Sequence, residues 1–158
     1  QLMSMRDRVQ AMFTAPVAEA HCDGPCGVYD PASARVTAEA VLSMTKKMLD
    51  LHVPEGSDDA AWAGYLNSMS RFAAIKEEQA ESTKHELLVL WTDYFKPDHL
   101  EAFPDLHDTF WSATKLCSAT KQNVDVAAAE NLMAAVEKIH KMFWESKNRD
   151  VAWVPAVG

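Results

Sequence analysis

Apolar residues along this chain recur mostly at three- and four-residue steps, the spacing of a buried helical stripe. Beyond Asp30-Pro31, the positions Val41, Met44, Met48 and Leu51 share one face, and Val36, Leu42 and Leu49 widen it. Asp30 suits an N-cap. Pro31 suits the first helical position, where its missing N–H costs nothing. The pattern predicts a first helix over 31–51, stopped by His52-Val53-Pro54-Glu55-Gly56. A second helix starts at Ser57-Asp58-Asp59, with a cap and acids at the positive end of its dipole, and reaches toward Tyr94. Trp62, Tyr65, Leu66, Met69, Phe72 and Ile75 are expected to line one half of it, and Leu87, Leu88, Leu90, Trp91 and Tyr94 the other. The polar section from Lys76 to Lys84 between them reads as a mostly solvated face.

Lys96-Pro97-Asp98 ends that run, and a turn from His99 to Phe103 leads to Pro104-Asp105. A third helix follows, with Leu106, Phe110, Ala113 and Cys117 buried and Trp111 and Leu116 flanking them. After a turn over 120–123, a fourth helix spans 125–147, with Val126, Ala129, Leu132, Val136, Ile139 and Phe143 inward. Four helices with short connections predict an all-α protein, an antiparallel up-down-up-down four-helix bundle. The tail over 151–158 carries Trp153 and Pro155 without a helical pattern, and is expected to pack on a neighbour or hang free.

Residues 1–20 stand apart. Met5, Val9, Met12 and Phe13 lie at helical spacing among Arg6, Asp7 and Arg8, without the apolar centre of a secretory signal. Ala18-Glu19-Ala20 before His21 is a small-residue sequence that a protease can cut. The segment reads either as a tail or as a pro-segment whose removal makes His21 the N-terminus. The rest, 21–158, reads as one domain without an internal repeat.

Size and charge narrow the function. The chain has 158 residues, enough for one domain with a real core. A formal net charge of −8 argues against nucleic acid as a partner, since phosphate binding needs a basic surface. No apolar run approaches the roughly 20 residues of a membrane helix. Three cysteines, Cys22, Cys26 and Cys117, are not a disulfide framework, which favours a reducing, cytoplasmic compartment.

The chemistry concentrates in His21-Cys22-Asp23-Gly24-Pro25-Cys26-Gly27-Val28-Tyr29. Gly24-Pro25 can bend the chain so that the Cys22 and Cys26 sulfurs meet, and the His21 imidazole can approach the same point. Thiolates there favour soft or borderline metals such as zinc, copper or nickel. Four readings stay open from the residues alone. One is a Cys22–Cys26 disulfide. A second is a structural zinc site, which needs a fourth ligand such as Cys117 or another histidine. A third is a redox dithiol, although Cys-x-x-Cys and a βαβ pattern are both missing. The fourth is a square-planar metal bound partly by backbone nitrogen.

The pattern His-Cys-x-x-Pro-Cys-Gly-x-Tyr followed by Asp30-Pro31 resembles the metal-binding hook of the nickel-containing superoxide dismutases. Lys84-His85, the run from Leu90 to Pro97 and Phe143-Trp144-Glu145-Ser146-Lys147 extend the likeness to about Lys147. Residues 1–20 then occupy the place of that family's cleaved pro-segment. The resemblance implies one nickel ion per subunit, held by the Cys22 and Cys26 thiolates, the His21 amine and the Cys22 backbone nitrogen. The His21 imidazole is implied as an axial ligand in the oxidised state. It further implies Ni(III)/Ni(II) cycling, superoxide as substrate, Tyr29 over the open face, and Asp23 shaping the pocket through its backbone. Partners implied are five further copies in a homohexamer, a processing protease and a nickel-delivery factor. Some relatives hold the axial imidazole with a Glu on the first helix and an Arg on the second. Thr37 and Gln79 stand at those positions here, with Glu39 a candidate to compensate. The rival reading is a non-catalytic helical module with a zinc-loaded or oxidised hook. The other histidines, His52, His85, His99, His107 and His140, read as surface or capping residues, and Lys84 and Lys96 as candidates for a positive approach to the site.

Overall fold

A computed structural model of the chain describes residues 26–56 and 58–156. Its helices are α1 (Ala32–Leu49), α2 (Asp59–Val89), α3 (Leu106–Gln122) and α4 (Val126–Ser146). A π-helical turn, Leu90–Tyr94, continues α2, and a 3-10 turn, Pro97–Leu100, follows it. No strand occurs among the described residues. α1 packs on α2, α2 on α3, α3 on α4 and α4 back on α1, which closes the ring of the expected bundle.

The ends of the helices follow local chemistry. Asp30 Oδ1 accepts from Ala32 N at 2.8 Å, so the predicted cap forms, although regular helix begins at Ala32, one residue after the buried Pro31. Asp58 accepts from Ala60 N and Ala61 N, and Asp125 from Ala128 N. The π turn arises where Phe95 N donates to Leu90 O, five residues back. It widens the end of α2 just where Trp91 and Tyr94 turn inward against the core.

α3 and α4 bury the stripes that their spacing predicts, except for Val126, which stands in the first turn of α4 and is only half-buried. Leu106, Phe110, Ala113 and Cys117 face Ala129, Leu132, Val136, Ile139 and Phe143. In α1 the stripe is rotated from the expected one. Ala34, Ala38, Val41 and Thr45 are buried, while Val36 and Leu49 are more than half exposed and Leu51 lies beyond the helix. Small side chains at 34 and 38 give the close approach to neighbouring helices that larger ones would block.

α2 reverses the expectation more completely. None of Trp62, Tyr65, Leu66, Met69, Phe72 or Ile75 is buried. The supposedly solvated section instead supplies three of the four buried residues of α2, Lys76, Ala80 and Thr83, with Leu87 the fourth. Length explains this. α2 has 31 residues, about 46 Å of helix, whereas its neighbours α1 and α3 have 18 and 17. They cover only its C-terminal part.

Lys76 shows how a charge becomes a core residue. Its Nζ donates to the carbonyls of Thr120, Lys121 and Asn123, the otherwise orphaned acceptors at the end of α3. Burial lowers its pKa from the ordinary lysine value. Lys76→Met leaves those carbonyls without their donor. It is expected to lower unfolding stability by about 2 kcal/mol, read from the urea midpoint.

The C-terminal tail neither hangs free nor waits for a neighbour. Trp153 packs against His140 with ring centroids 5.3 Å apart, and His140 Nε2 donates to Val151 O at 2.9 Å. His140 is therefore buried, not a surface residue. Glu39, also buried, accepts from Ala156 N and from Arg35 Nη1. The carboxylate considered as compensation near the hook thus anchors the tail.

Candidate metal centre

The described chain enters the hook at Cys26, so His21, Cys22 and Asp23 lie outside the described residues. Cys26 is exposed and carries a free thiol. Gly27 follows with φ +64°, a left-handed conformation that a side chain would strain. This turn directs the chain onto the bundle at Tyr29. The Tyr29 ring lies 5.5 Å from that of Tyr94, tilted by 54°, and packs against the core. Pro31 and the Asp30 cap then start α1. The hook is thereby tied to the end of the bundle where α2 finishes.

Tyr94 organises that end. Its ring contacts Phe143 at 4.5 Å and Phe95 at 5.0 Å, and stacks on His99 at 5.7 Å. Ser146 Oγ donates to Phe143 O at 2.7 Å, so the Tyr94 hydroxyl donates to Ser146 Oγ. That proton is committed and the ring is locked. Lys96 N donates to His99 Nδ1 at 2.9 Å, which leaves Nε2 as the protonated nitrogen of a neutral ring. Lys147 Nζ sits 5.1 Å over the Tyr94 ring.

Gly27, Tyr29, Asp93, Tyr94, Lys96 and His99 line an open cleft of about 380 Å³. It begins one residue after Cys26. Two predicted residues, Tyr29 and Lys96, thus line one cleft, together with Tyr94 and with His99, whose ring caps the Pro97–Leu100 turn as a capping histidine is expected to. The signal for His99 was its place three residues after Lys96 in a Pro-started turn.

Cys117 is elsewhere. It is fully buried in the core, and burial pushes its thiol up to about 12. The charges nearest to it are Lys84, Lys121 and Glu81. Lys84 lies ten residues before Tyr94 on α2, which is about 15 Å of helix. Cys117 is therefore unsuited to complete a zinc site at the hook. Among the described residues no group of three or more His, Cys, Asp or Glu side chains stands ready for a metal.

Thr37 and Gln79 sit across the α1–α2 contact. Thr83 Oγ1 donates to Thr37 Oγ1 at 2.8 Å, and the Thr37 hydroxyl turns back to the Ser33 and Ala34 carbonyls. A hydroxyl link thus joins α1 to α2 one helical turn beyond Gln79.

The sequence model of nickel-containing superoxide dismutase matches residues 16–147, most of the chain. The chain belongs to this family. Membership makes it an oxidoreductase acting on superoxide, with nickel as cofactor. Two relatives are the nickel superoxide dismutases of Streptomyces seoulensis and Streptomyces coelicolor, 44% and 43% identical over 128 residues. The match spans 81% of this chain and 88% of each relative. A crystal structure of a nickel-containing superoxide dismutase with ligation corresponding to the oxidised state superposes with a TM-score of 0.69 at 44% identity. It covers 81% of this chain and 99% of that one. An apo nickel superoxide dismutase gives 0.65 at 38% identity, over 77% and 98%. Family membership bears out the predicted fold class and the nickel cofactor.

The described donor chemistry fits the metal. Cys26 is an accessible thiol held next to a rigid turn, and a thiolate is a ligand that nickel accepts.

Proposed function

We propose that residues 1–20 are a pro-segment and that cleavage before His21 completes the site. The Cys22 and Cys26 thiolates, the new His21 amine and the Cys22 backbone nitrogen would then hold one nickel ion per subunit, with the His21 imidazole as a further ligand in the oxidised state. Bound there, nickel supplies one-electron cycling between Ni(III) and Ni(II), which the strongly donating sulfur and amide nitrogen make accessible. Two superoxide anions and two protons become dioxygen and hydrogen peroxide.

The observation that carries this reading is the cleft behind Cys26. Tyr29 and Tyr94 form an aromatic wall that confines a small guest. Lys96 lines the cleft opposite the charge of Asp93, and Lys147 Nζ over the Tyr94 ring adds a second cation beside it, in a chain of net charge −8 where local field, not total charge, steers an anion. His99 Nε2–H is a donor suited to hold the anion, and Tyr29 stands over the open face and helps admit it. The Tyr94 hydroxyl keeps its proton on Ser146 and acts as a wall. The cleft is open, so protons reach it from solvent. Asp23 shapes the hook through its backbone. The working assembly is a homohexamer in the cytoplasm, served by a processing protease and a nickel-delivery factor. Among the described residues no helix is long and apolar enough to cross a membrane.

The reading is tested with a chain beginning at His21, loaded in parallel with nickel and with zinc. Dismutation is expected from the nickel form alone, with the nickel signal changing on reduction. A nickel-bound form without activity would return the hook to the binding-module reading.

A further inference from the structure

We propose that the groove bounded by α1, α4 and the C-terminal tail is a binding site for a straight-chain fatty carboxylate. The groove has a volume of about 400 Å³, within the range of sites that hold small molecules. Leu42 from α1, Met133 from α4, and Trp153 and Pro155 from the tail give it apolar walls. Leu42, Met133 and Trp153 pack inward against the core, so the fold holds these walls in place. The tail touches both His140 of α4 and Glu39 of α1, so it already lies across the face where a partner helix would pack. What remains is a slot. Along α1 its lining runs from Glu39 to Lys47, eight residues on, which is about 12 Å of helix. An extended alkyl chain fits such a slot, and burying its apolar surface is the main source of affinity. Trp153 and Pro155 lie beyond the 16–147 span of the family model, and no residue of the groove lines the cleft beside Cys26.

Hydrogen bonding selects the head group. Glu39, the acid in the lining, is committed: it accepts from Arg35 Nη1 and from Ala156 N. The other polar groups are Ser43 Oγ, Trp153 Nε1 and the amines of Lys46 and Lys47. An indole N–H and an ammonium can only donate. Ser43 Oγ, Trp153 Nε1 and Lys47 Nζ have no hydrogen-bond or ion-pair partner among the described residues. Lys46 approaches Glu130 only to 3.8 Å, with both side chains more than half exposed, so that pair holds it weakly. The groove therefore offers unspent donors and two cations, and the end of a ligand that meets them must accept hydrogen bonds and carry negative charge. A carboxylate does both. The polarity is also ordered along the slot. Lys46 and Lys47 stand in the last turn of α1, whereas Pro155 precedes the Ala156 N–H that is bonded to Glu39. The head group thus lies at the lysines and the alkyl chain runs past Leu42 and Met133 toward Pro155.

Calorimetric titration of the full chain with sodium decanoate, kept below its micelle-forming concentration, tests the site. Decanol, the same alkyl chain with an uncharged head, is the control. Decanoate is expected to bind saturably and to shift the tryptophan emission, a shift that Trp153→Phe removes. Lys46→Ser with Lys47→Ser is expected to weaken decanoate about tenfold and decanol less than about twofold. Both lysines are exposed, so the fold and the unfolding midpoint should be kept. Absence of decanoate binding overturns the proposal. Decanoate binding that the lysine changes leave unaltered overturns the head-group recognition on which it rests. An emission shift that survives Trp153→Phe places the ligand elsewhere and overturns the site. Absence of decanoate binding together with a lighter assembly in the lysine variant assigns the groove to a contact between subunits, which overturns it too.

Discussion

A chain left whole ahead of His21 is expected to dismute superoxide at least about 100-fold more slowly than one beginning at His21, with both exposed to the same nickel. The reason is elementary. In the whole chain the His21 nitrogen is a neutral amide, whose lone pair is delocalised into the carbonyl and which binds a metal only after losing its own proton. Cleavage turns it into an amine, which becomes a donor once it loses a proton. The same step frees the end of the hook, so the His21 ring can turn toward the sulfurs. Nickel binding by the cut chain should therefore be proton-linked, since the amine, the Cys22 amide and both thiols must all be deprotonated. The apparent affinity should rise with pH, because every ligand group binds protons when metal-free. Activity and nickel affinity measured on both chains between pH 6 and pH 9 check this, in a range chosen about the ordinary amine and thiol pKa values. Equal activity in both chains would mean that the His21 amine is not a ligand.

The family and its nickel cofactor were legible because the motif that carries the resemblance is local. Two thiols, an imidazole and a Gly-Pro pair within nine residues need no tertiary information to be read. α4 was legible for a similar reason. From Ala129 onward it is covered along its length, so its apolar spacing and its burial coincide. α2 was not. Its periodicity announced a helix, and a helix forms, but spacing says nothing about how far the neighbouring helices extend. Trp62 to Ile75 lie past them, and Lys76, Ala80 and Thr83 took the covered places instead. A lysine is buried there only because Thr120, Lys121 and Asn123 present carbonyls, which no reading of α2 alone can show. The cleft was half legible. Tyr29, Tyr94 and Lys96 all lie in matching motifs. The roles of Tyr94 and His99 depend on a π turn and on a backbone N–H pointing at a ring nitrogen, and both are settled by packing.

Cys26→Ser and Cys117→Ala are expected to give opposite results. Both side chains are thiols, and burial separates them. Cys26 is exposed and contributes nothing to the core, so serine there should leave the unfolding midpoint within about 0.5 kcal/mol of the original. It removes a thiolate from the proposed ligand set, and a hydroxyl does not deprotonate to replace it. Nickel retention and dismutation by the cut chain should fall about 100-fold or more. Cys117 lies among Phe110, Ala113 and Ala129 in a core without access for solvent or metal. Alanine there leaves a small void and should cost about 1 kcal/mol of stability, with the nickel site intact. The raised Cys117 pKa has its own consequence. Its thiol stays protonated in the folded chain while an unfolded chain ionises above about 8.5, so this residue's contribution to stability is present below that pH and declines above it. Cys117→Ala should flatten the alkaline loss of stability, whereas Cys26→Ser should not. Denaturant titrations of the two variants at pH 7 and pH 10, beside nickel analysis and activity of the cut forms, separate the roles. Loss of nickel on changing Cys117 would place that thiol at the metal and revive the zinc-type ligand set.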